Sequence, residues 1–490
     1  MNLYLIGHNC RYAAEQSLLT LFPAERPKYP QGPAPGDSCR ITMRRGARFT
    51  TCTALLDLDG ACYTGRAAAS NEAMTDALTE ERLQNRIVKQ AFYRAALSAG
   101  VPKPEWGSLT GVRPAKLMEG YLREGLSPRA AVGAFRREYG VSQDRARLCL
   151  ASAQAALEAK ASLDSRDVCL YVGIPFCPTR CAYCSFVSQS VEKSMKLMEP
   201  FLEALRGDVA ATAQAVREAR LRVVSVYMGG GTPTTLSPRQ LDELCTWLEA
   251  DFDLSGLREY TVEAGRPDTI TEEKLRVLRA HGVNRISVNP QTMSDAVLEA
   301  IGRRHTAQDI VDALALARKV GGFVVNMDLI AGLPTDTPEG FRETLDRVLE
   351  LEPENVTIHT LAMKKGSRLT LEGGKLPNAA QVGRMLDDSR QALDASGYVP
   401  YYLYRQKFMA GSGENVGWTK PGFSNLYNIC IMEELCSIIS MGAGGSTKLT
   451  DGAQGRIVRA FAPKYPKEYI ESAEKVRADK MKIGEFYNGV

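Results

Sequence analysis

The sequence predicts an α/β fold, an incomplete (β/α)6 barrel preceded by an α+β and helical module and followed by a mostly helical C-terminal region. Three observations lead there. Six short β-rich runs, 169–174, 223–228, 259–263, 284–289, 323–329 and 355–359, alternate with helix-length amphipathic stretches, the pattern of βα units wound into a parallel sheet. Six units fall short of a closed eight-unit barrel. The chain has 490 residues, more than the roughly 250 to 300 that one core normally serves, so flanking domains are expected.

Apolar content of 44% and charged content of 24% are those of an ordinary globular protein and exclude a disordered or fibrous chain. The net charge of +4 is spread without a basic block, which gives no support for nucleic-acid binding. The opening residues carry no basic leader, and no run approaches the ~18 apolar residues of a membrane span. A cytoplasmic protein without a membrane span is the expectation.

In chain order, residues 1–75 read as a small α+β module, with strand-like runs at 3–6, 39–43 and 49–56 and a helix at 12–21. Residues 76–165 read as helical, 166–362 as the partial barrel and 363–490 as a region covering the substrate. The run 441–448 is glycine-rich but lacks the Gly-Lys-Ser/Thr ending of a triphosphate loop.

Twelve cysteines in a chain of this size point to metal or catalytic roles, or to core positions, rather than to a disulfide framework. Cys10, Cys39, Cys52, Cys62, Cys149, Cys169, Cys245, Cys430 and Cys436 read as small core hydrophobes. Cys177, Cys181 and Cys184 differ, sitting at offsets of four and three on one loop after the first barrel strand. A four-iron cluster ordinarily takes four thiolates, so three leave one iron open to a non-protein ligand. A structural zinc site is the alternative; it would need a fourth ligand, whereas Cys169 lies inside the preceding strand and the chain has four histidines.

The second strand ends in Gly229, Gly230, Gly231, Thr232 and Pro233, where missing side chains let backbone approach a ligand at the rim that α/β sheets use for binding. The same rim position selects Glu263, Asn289, Gln291, Asp328 and His359. A polar side chain in an apolar strand ending is costly unless paired or used. Glu263 and Asp328 read as ligand contacts, with structural salt bridges as the alternative; His359 is open between the two.

These residues resemble the radical S-adenosylmethionine enzymes, and among them the oxygen-independent coproporphyrinogen III oxidase group. The resemblance spans about residues 171–361, through YVGIPFCPTRCAYCSF, YMGGGTPT, VEAGRPD, NRISVNPQ, IGRRHT and DLIAGLPTDT. The N-terminal module and the segments 404–407 and 414–418 look like the HemZ-type branch. The resemblance implies a [4Fe-4S] cluster on Cys177, Cys181 and Cys184 and S-adenosyl-L-methionine contacted by Tyr171, Gly229, Gly230, Gly231, Thr232, Glu263, Gln291, Arg303 and Asp328. Arg303 would pair with the methionine carboxylate, and the two acids would accept hydrogen bonds from amino or ribose hydroxyl groups.

The implied substrate is coproporphyrinogen III, two of whose propionates become vinyl groups by oxidative decarboxylation, giving protoporphyrinogen IX. An electron donor such as flavodoxin or ferredoxin is implied as partner. Arg405, Lys407 and Lys420 are candidate cations for the propionates. Two positions depart from the group: Gly173 stands where its members carry histidine, and Phe186 where they carry a further cysteine. A haem-binding chaperone shares the CxxxCxYC-x-F form, but its carboxyl-terminal His-Asn-x-x-Tyr-Trp signature is missing, since no histidine follows His359. A radical enzyme with a different substrate is the remaining alternative.

Overall fold

The computed structural model describes residues 1–184, 189–363, 367, 369, 376–406, 409, 413–451 and 456–489. Two compact units are present, Met1–Leu150 and Ala151–Val490.

In the first unit, β1 (Asn2–Ile6) runs parallel to β2 (Ser38–Arg45), and β2, β3 (Phe49–Leu58) and β4 (Ala61–Ser70) form an antiparallel meander. Alternate residues Cys39, Ile41 and Met43 of β2 and Cys52, Ala54 and Leu56 of β3 are buried, as the two-residue period of a one-sided sheet requires. The helices Arg11–Leu21 and Ala77–Ser98 supply Leu18, Ile87, Val88 and Phe92 to this core. β4 was not among the runs picked out in the sequence, because glycine and alanine carry little strand propensity. Packing explains its composition: a Cβ on Gly65 would lie 2.1 Å from the Ala91 carbonyl oxygen of the covering helix. The same alternation turns Cys62 outward, so it is exposed rather than a core residue. Helix Pro128–Tyr139 starts at Ser127, whose hydroxyl accepts the Ala130 N–H, and ends at Gly140 with φ +71°, the left-handed stop that glycine adopts without strain.

The second unit is built on one eleven-stranded sheet. Its strands are β5 (Asp167–Ile174), β8 (Arg222–Gly230), β9 (Glu259–Glu263), β10 (Arg285–Ser287), β11 (Val324–Ala331), β12 (Asn355–Thr360), β13 (Val399–Tyr404), β14 (Asn415–Thr419), β15 (Ser437–Gly442), β16 (Ser446–Asp451) and β17 (Arg456–Phe461). The short pair β6 (Phe176–Cys177) and β7 (Gln189–Ser190) stands apart. The order is β13-β14-β12-β11-β10-β9-β8-β5-β15-β16-β17. From β15 to β12 neighbours are parallel, and the two flanks are antiparallel. Because β13 and β17 end the order, the sheet is open, an incomplete barrel as expected.

The βα helices follow from amphipathic stretches with readable starts. Ser237 with Gln240 and Thr306 with Asp309 form capping boxes at Pro238–Asp251 and Ala307–Val320. The region after 363 is helical at Ala379–Ala395, Leu426–Glu433 and three short C-terminal helices, yet it also adds five strands to the sheet. These strands escaped the sequence reading because glycine-rich turns interrupt them. The run 441–448, for instance, is the end of β15, a turn and the start of β16.

Helix Leu426–Glu433 packs against β5 and β8. Asn425 caps it, and Glu259 of β9 accepts the N–H groups of Leu426 (2.8 Å) and Tyr427 (3.1 Å), placing a carboxylate at the positive end of the helix. Behind the sheet, Asp208 is 1% exposed and binds Lys480 Nζ (2.8 Å), the Tyr469 hydroxyl (2.7 Å) and the Gly442 N–H (3.0 Å). This buried pair fastens the C-terminal helices to helix Met198–Glu218 and to the end of β15.

Candidate functional site

β5 ends at Ile174, and the loop bearing Cys177, Cys181 and Cys184 follows at its carboxyl end, with all three thiols half-buried. The glycine run at the end of β8 is laced to this loop. Gly231 donates its N–H to Ile174 O (2.7 Å) and Thr232 to Phe176 O (2.7 Å), while the Thr232 hydroxyl reaches Cys177 Sγ at 3.4 Å. A Cβ on Gly231 would sit 2.5 Å from the Phe176 carbonyl oxygen, so only glycine permits the approach. Further along, Ala182 donates to Ile301 O at 2.9 Å.

Two buried guanidiniums meet the loop. Arg266, 3% exposed, donates to the Thr179 hydroxyl (3.1 Å), stands 3.9 Å from Cys181 Sγ and is steadied by Asp268. Arg303 donates to Asn289 O (2.7 Å), Gly265 O (3.4 Å) and the Tyr183 hydroxyl (3.3 Å), and also reaches Cys181. Burial, followed by Arg303 and Arg266, holds His305 down to a pKa of about 4, and neither of its ring nitrogens has a hydrogen-bond partner. The Arg303 Nη atoms meet the loop and main-chain carbonyls.

Glu263 ends β9, Asp328 lies within β11 and His359 is next to last in β12. Tyr227 donates to Glu263 Oε1 at 2.6 Å, and a Cβ on Gly229 would lie 2.9 Å from the Glu263 carboxyl carbon. Burial raises Glu263 to about 7, the Tyr227 hydrogen bond opposing it and the Asp328 charge adding to it. Burial works against Asp328 ionising as well, but His359, 3.8 Å from Oδ2, and the hydrogen bonds of Asn326 and Thr357 hold its pKa below the ordinary value. Gln291 takes φ +66°, and from that strained backbone it donates to Asp328 O (2.9 Å) and accepts from Ile330 N (3.0 Å). Asn289 Oδ1 accepts the Asp328 N–H at 3.1 Å. The rings of Tyr171 and Tyr227 stack at 6.3 Å, and Tyr427 lies 4.4 Å from Tyr227; a Cβ on Gly230 would meet the Tyr171 hydroxyl at 3.0 Å.

The selected residues therefore form two linked groups: the loop with Gly231, Thr232 and Arg303, and the acids with Tyr171, Gly229, Gly230 and Gln291. Sequence reasoning missed Arg266 and Tyr227, although both stand in the motifs VEAGRPD and YMGGGTPT. The signal was a hydroxylated side chain two positions before Gly229 and a charged one three positions after Glu263. Of the candidate substrate cations, Arg405 follows β13 and lies level with the end of β12, donating to Gly413 O at 3.4 Å. Lys420 lies at the opposite end of the strands, bonded to Glu352 O, because β14 runs antiparallel to β12 and carries the chain away from the rim. Lys407 and Phe186 lie outside the described residues. At Gly173 a Cβ would meet the Ala443 carbonyl oxygen at 2.6 Å, and one on Gly442 would meet Gly173 O at 2.3 Å; the pairing of β15 with β5 leaves no room there for the histidine of the related group.

Residues 171–348 match the Radical SAM superfamily. The chain is 39% identical over 383 residues to the oxygen-independent coproporphyrinogen-III oxidase-like protein HemZ of Bacillus subtilis, covering 77% of this chain and 76% of that one. It is 27% identical over 304 residues to the heme chaperone HemW of Haemophilus influenzae, covering 61% and 75%. Among solved structures, the coproporphyrinogen III oxidase HemN of Escherichia coli, a radical SAM enzyme, superimposes with a TM-score of 0.51 at 26% identity, covering 66% of this chain and 72% of the other. A cysteine loop fastened to a glycine-ended strand, the open parallel sheet around it and these likenesses agree: the chain belongs to the radical SAM superfamily, among the HemZ and HemN-like homologues of oxygen-independent coproporphyrinogen III oxidase.

Proposed function

We propose that the protein oxidatively decarboxylates two propionates of coproporphyrinogen III to vinyl groups without oxygen, forming protoporphyrinogen IX. The family's cofactors are a [4Fe-4S] cluster and S-adenosylmethionine. The loop fits the cluster: three half-buried thiols, with buried Arg266 and Arg303 beside Cys181 to offset thiolate charge. When bound, the cluster supplies the electron that splits S-adenosylmethionine reductively and yields the 5′-deoxyadenosyl radical.

The chain's own groups do the rest. Cys177, Cys181 and Cys184 hold the iron, and Thr232 donates to the first of these sulfurs. Glu263, raised to about 7 by burial, can accept or donate a hydrogen bond near neutral pH, whereas Asp328, held below the usual carboxylate range, accepts from hydroxyl or amino groups; the two acids thus ionise differently. Gly229, Gly230 and Gly231 expose backbone to the same space, and Tyr171 walls it. Arg405 offers charge for a propionate at the end of β13.

The observation that carries the oxidase reading is the extent of likeness: 39% identity over 77% of the chain to the oxidase-like relative, against 27% over 61% to the haem chaperone. The test is an anaerobic incubation with coproporphyrinogen III, S-adenosylmethionine and a reduced flavodoxin or ferredoxin. Vinyl product with stoichiometric 5′-deoxyadenosine is expected. Deoxyadenosine without vinyl product would assign a different substrate, and haem binding with neither product would assign the chaperone role.

A further inference from the structure

Away from the loop, three more cysteines converge. Cys169 lies in β5, Cys430 in helix Leu426–Glu433, and Cys436 directly before β15. Their Sγ atoms all lie within 4.8 Å of one another, and those of Cys169 and Cys436 are 3.6 Å apart although 267 residues separate them in the chain. Exposures are 0%, 0% and 6%. Among the described residues this is the one group of three histidine, cysteine or acidic side chains that meets such spacing.

A buried thiol is often a small hydrophobe, and that suffices for Cys149 or Cys245. It gives no reason for three thiols from three elements to aim at one point. Three sulfurs bound about 2.3 Å from a single ion in a trigonal plane stand roughly 4 Å apart; the Cys169 and Cys436 sulfurs are 3.6 Å apart, and all three lie within 4.8 Å. The surroundings are Val224, Ile438, Tyr427 and the partly buried Tyr171. The nearest carboxylates are committed elsewhere, Glu259 to the helix N–H groups and Asp167 to Arg222. A donor set of sulfur alone selects a soft ion over magnesium, calcium or manganese.

We propose that Cys169, Cys430 and Cys436 form a second, mononuclear metal site for the soft d10 cation Cu(I), which three thiolates can hold without the fourth ligand that a structural Zn(II) requires. Binding exchanges thiol protons for the ion with no change of oxidation state, and it pins the helix and the start of β15 to β5. The site is independent of the loop cysteines and of the reaction assigned above.

The experiment uses the full chain, anaerobically reconstituted with iron and sulfide, then given Cu(I), desalted and analysed for copper and iron. About one equivalent of copper per chain is expected, with a shell of three sulfurs by X-ray absorption at the copper edge. A Cys177→Ser/Cys181→Ser/Cys184→Ser variant, which lacks the iron site, keeps the copper. Cys430→Ser and, separately, Cys436→Ser lose it while retaining iron, with folding verified by circular dichroism. Failure of the parent chain to keep copper, or equal retention in both single variants, overturns the site; if a variant does not fold, oxygen or nitrogen in the parent's absorption shell overturns it instead.

Discussion

Tyr227 and Glu263 share a 2.6 Å hydrogen bond between neighbouring strands, and it is the main force opposing the burial that lifts Glu263 to about 7. In the folded chain without cofactors Glu263 therefore binds a proton that the unfolded chain releases near 4.5. More protons bound in the folded state means that stability falls as pH rises between those values, by up to about 3 kcal/mol. Glu263→Gln should flatten this part of the profile. Urea midpoints of cluster-free protein at about pH 5 and about pH 8 test it; an unchanged difference in the variant would refute the assignment.

Iron content reports on the loop. Cys181→Ala should not take up the ~4 irons per chain expected of the parent. Arg266→Gln keeps all three thiols but removes the guanidinium beside Cys181 and the bond to Thr179. It should load iron and then lose it to a chelator roughly tenfold faster or more, in line with the effect of residues that support metal ligands. Identical release from both proteins would assign Arg266 to packing alone.

Gly231→Ala forces a methyl group to within 2.5 Å of Phe176 O and 2.7 Å of Ile174 O. Both are backbone atoms, so the strand and the loop must separate. A loss of about 1–3 kcal/mol should accompany poor iron retention, whereas Gly383→Ala, with nothing within 4 Å of the new carbon, should load normally. Chemical denaturation paired with iron analysis distinguishes the two.

Lys480→Met leaves Asp208 buried without its cation. Breaking one side of such a pair costs on the order of 3–5 kcal/mol, although the Tyr469 and Gly442 hydrogen bonds remain. Thermal unfolding should shift down clearly, and Asp208→Asn in the same background should recover part of the loss by removing the stranded charge. No recovery in the double variant would mean that packing of the lysine stem, not charge, sets the stability.

The six barrel strands were legible because short β-rich runs alternate with helix-length amphipathic stretches, the texture of βα units. The cysteine loop and the glycines were legible because their spacing lies within one stretch of chain. What escaped is long-range or small in side chain. β4 is rich in alanine and glycine, and among the five added strands β15 joins the sheet through β5, about 270 residues earlier in the chain. The convergence of Cys169 with Cys430 and Cys436 leaves no local periodicity at all. Arg266 was visible within its motif, but its role follows only once β9 brings it to the loop. Lys420 illustrates the reverse: a cation suitable in type that strand direction carries to the wrong end.

The contact between the backbones at Gly173 and Gly442 bears on any attempt to convert this chain toward its histidine-bearing relatives. Grafting an imidazole at 173 alone would wedge two adjoining strands apart. A successful conversion would have to rebuild the β15–β16 turn at the same time, so the two positions form a single unit of engineering.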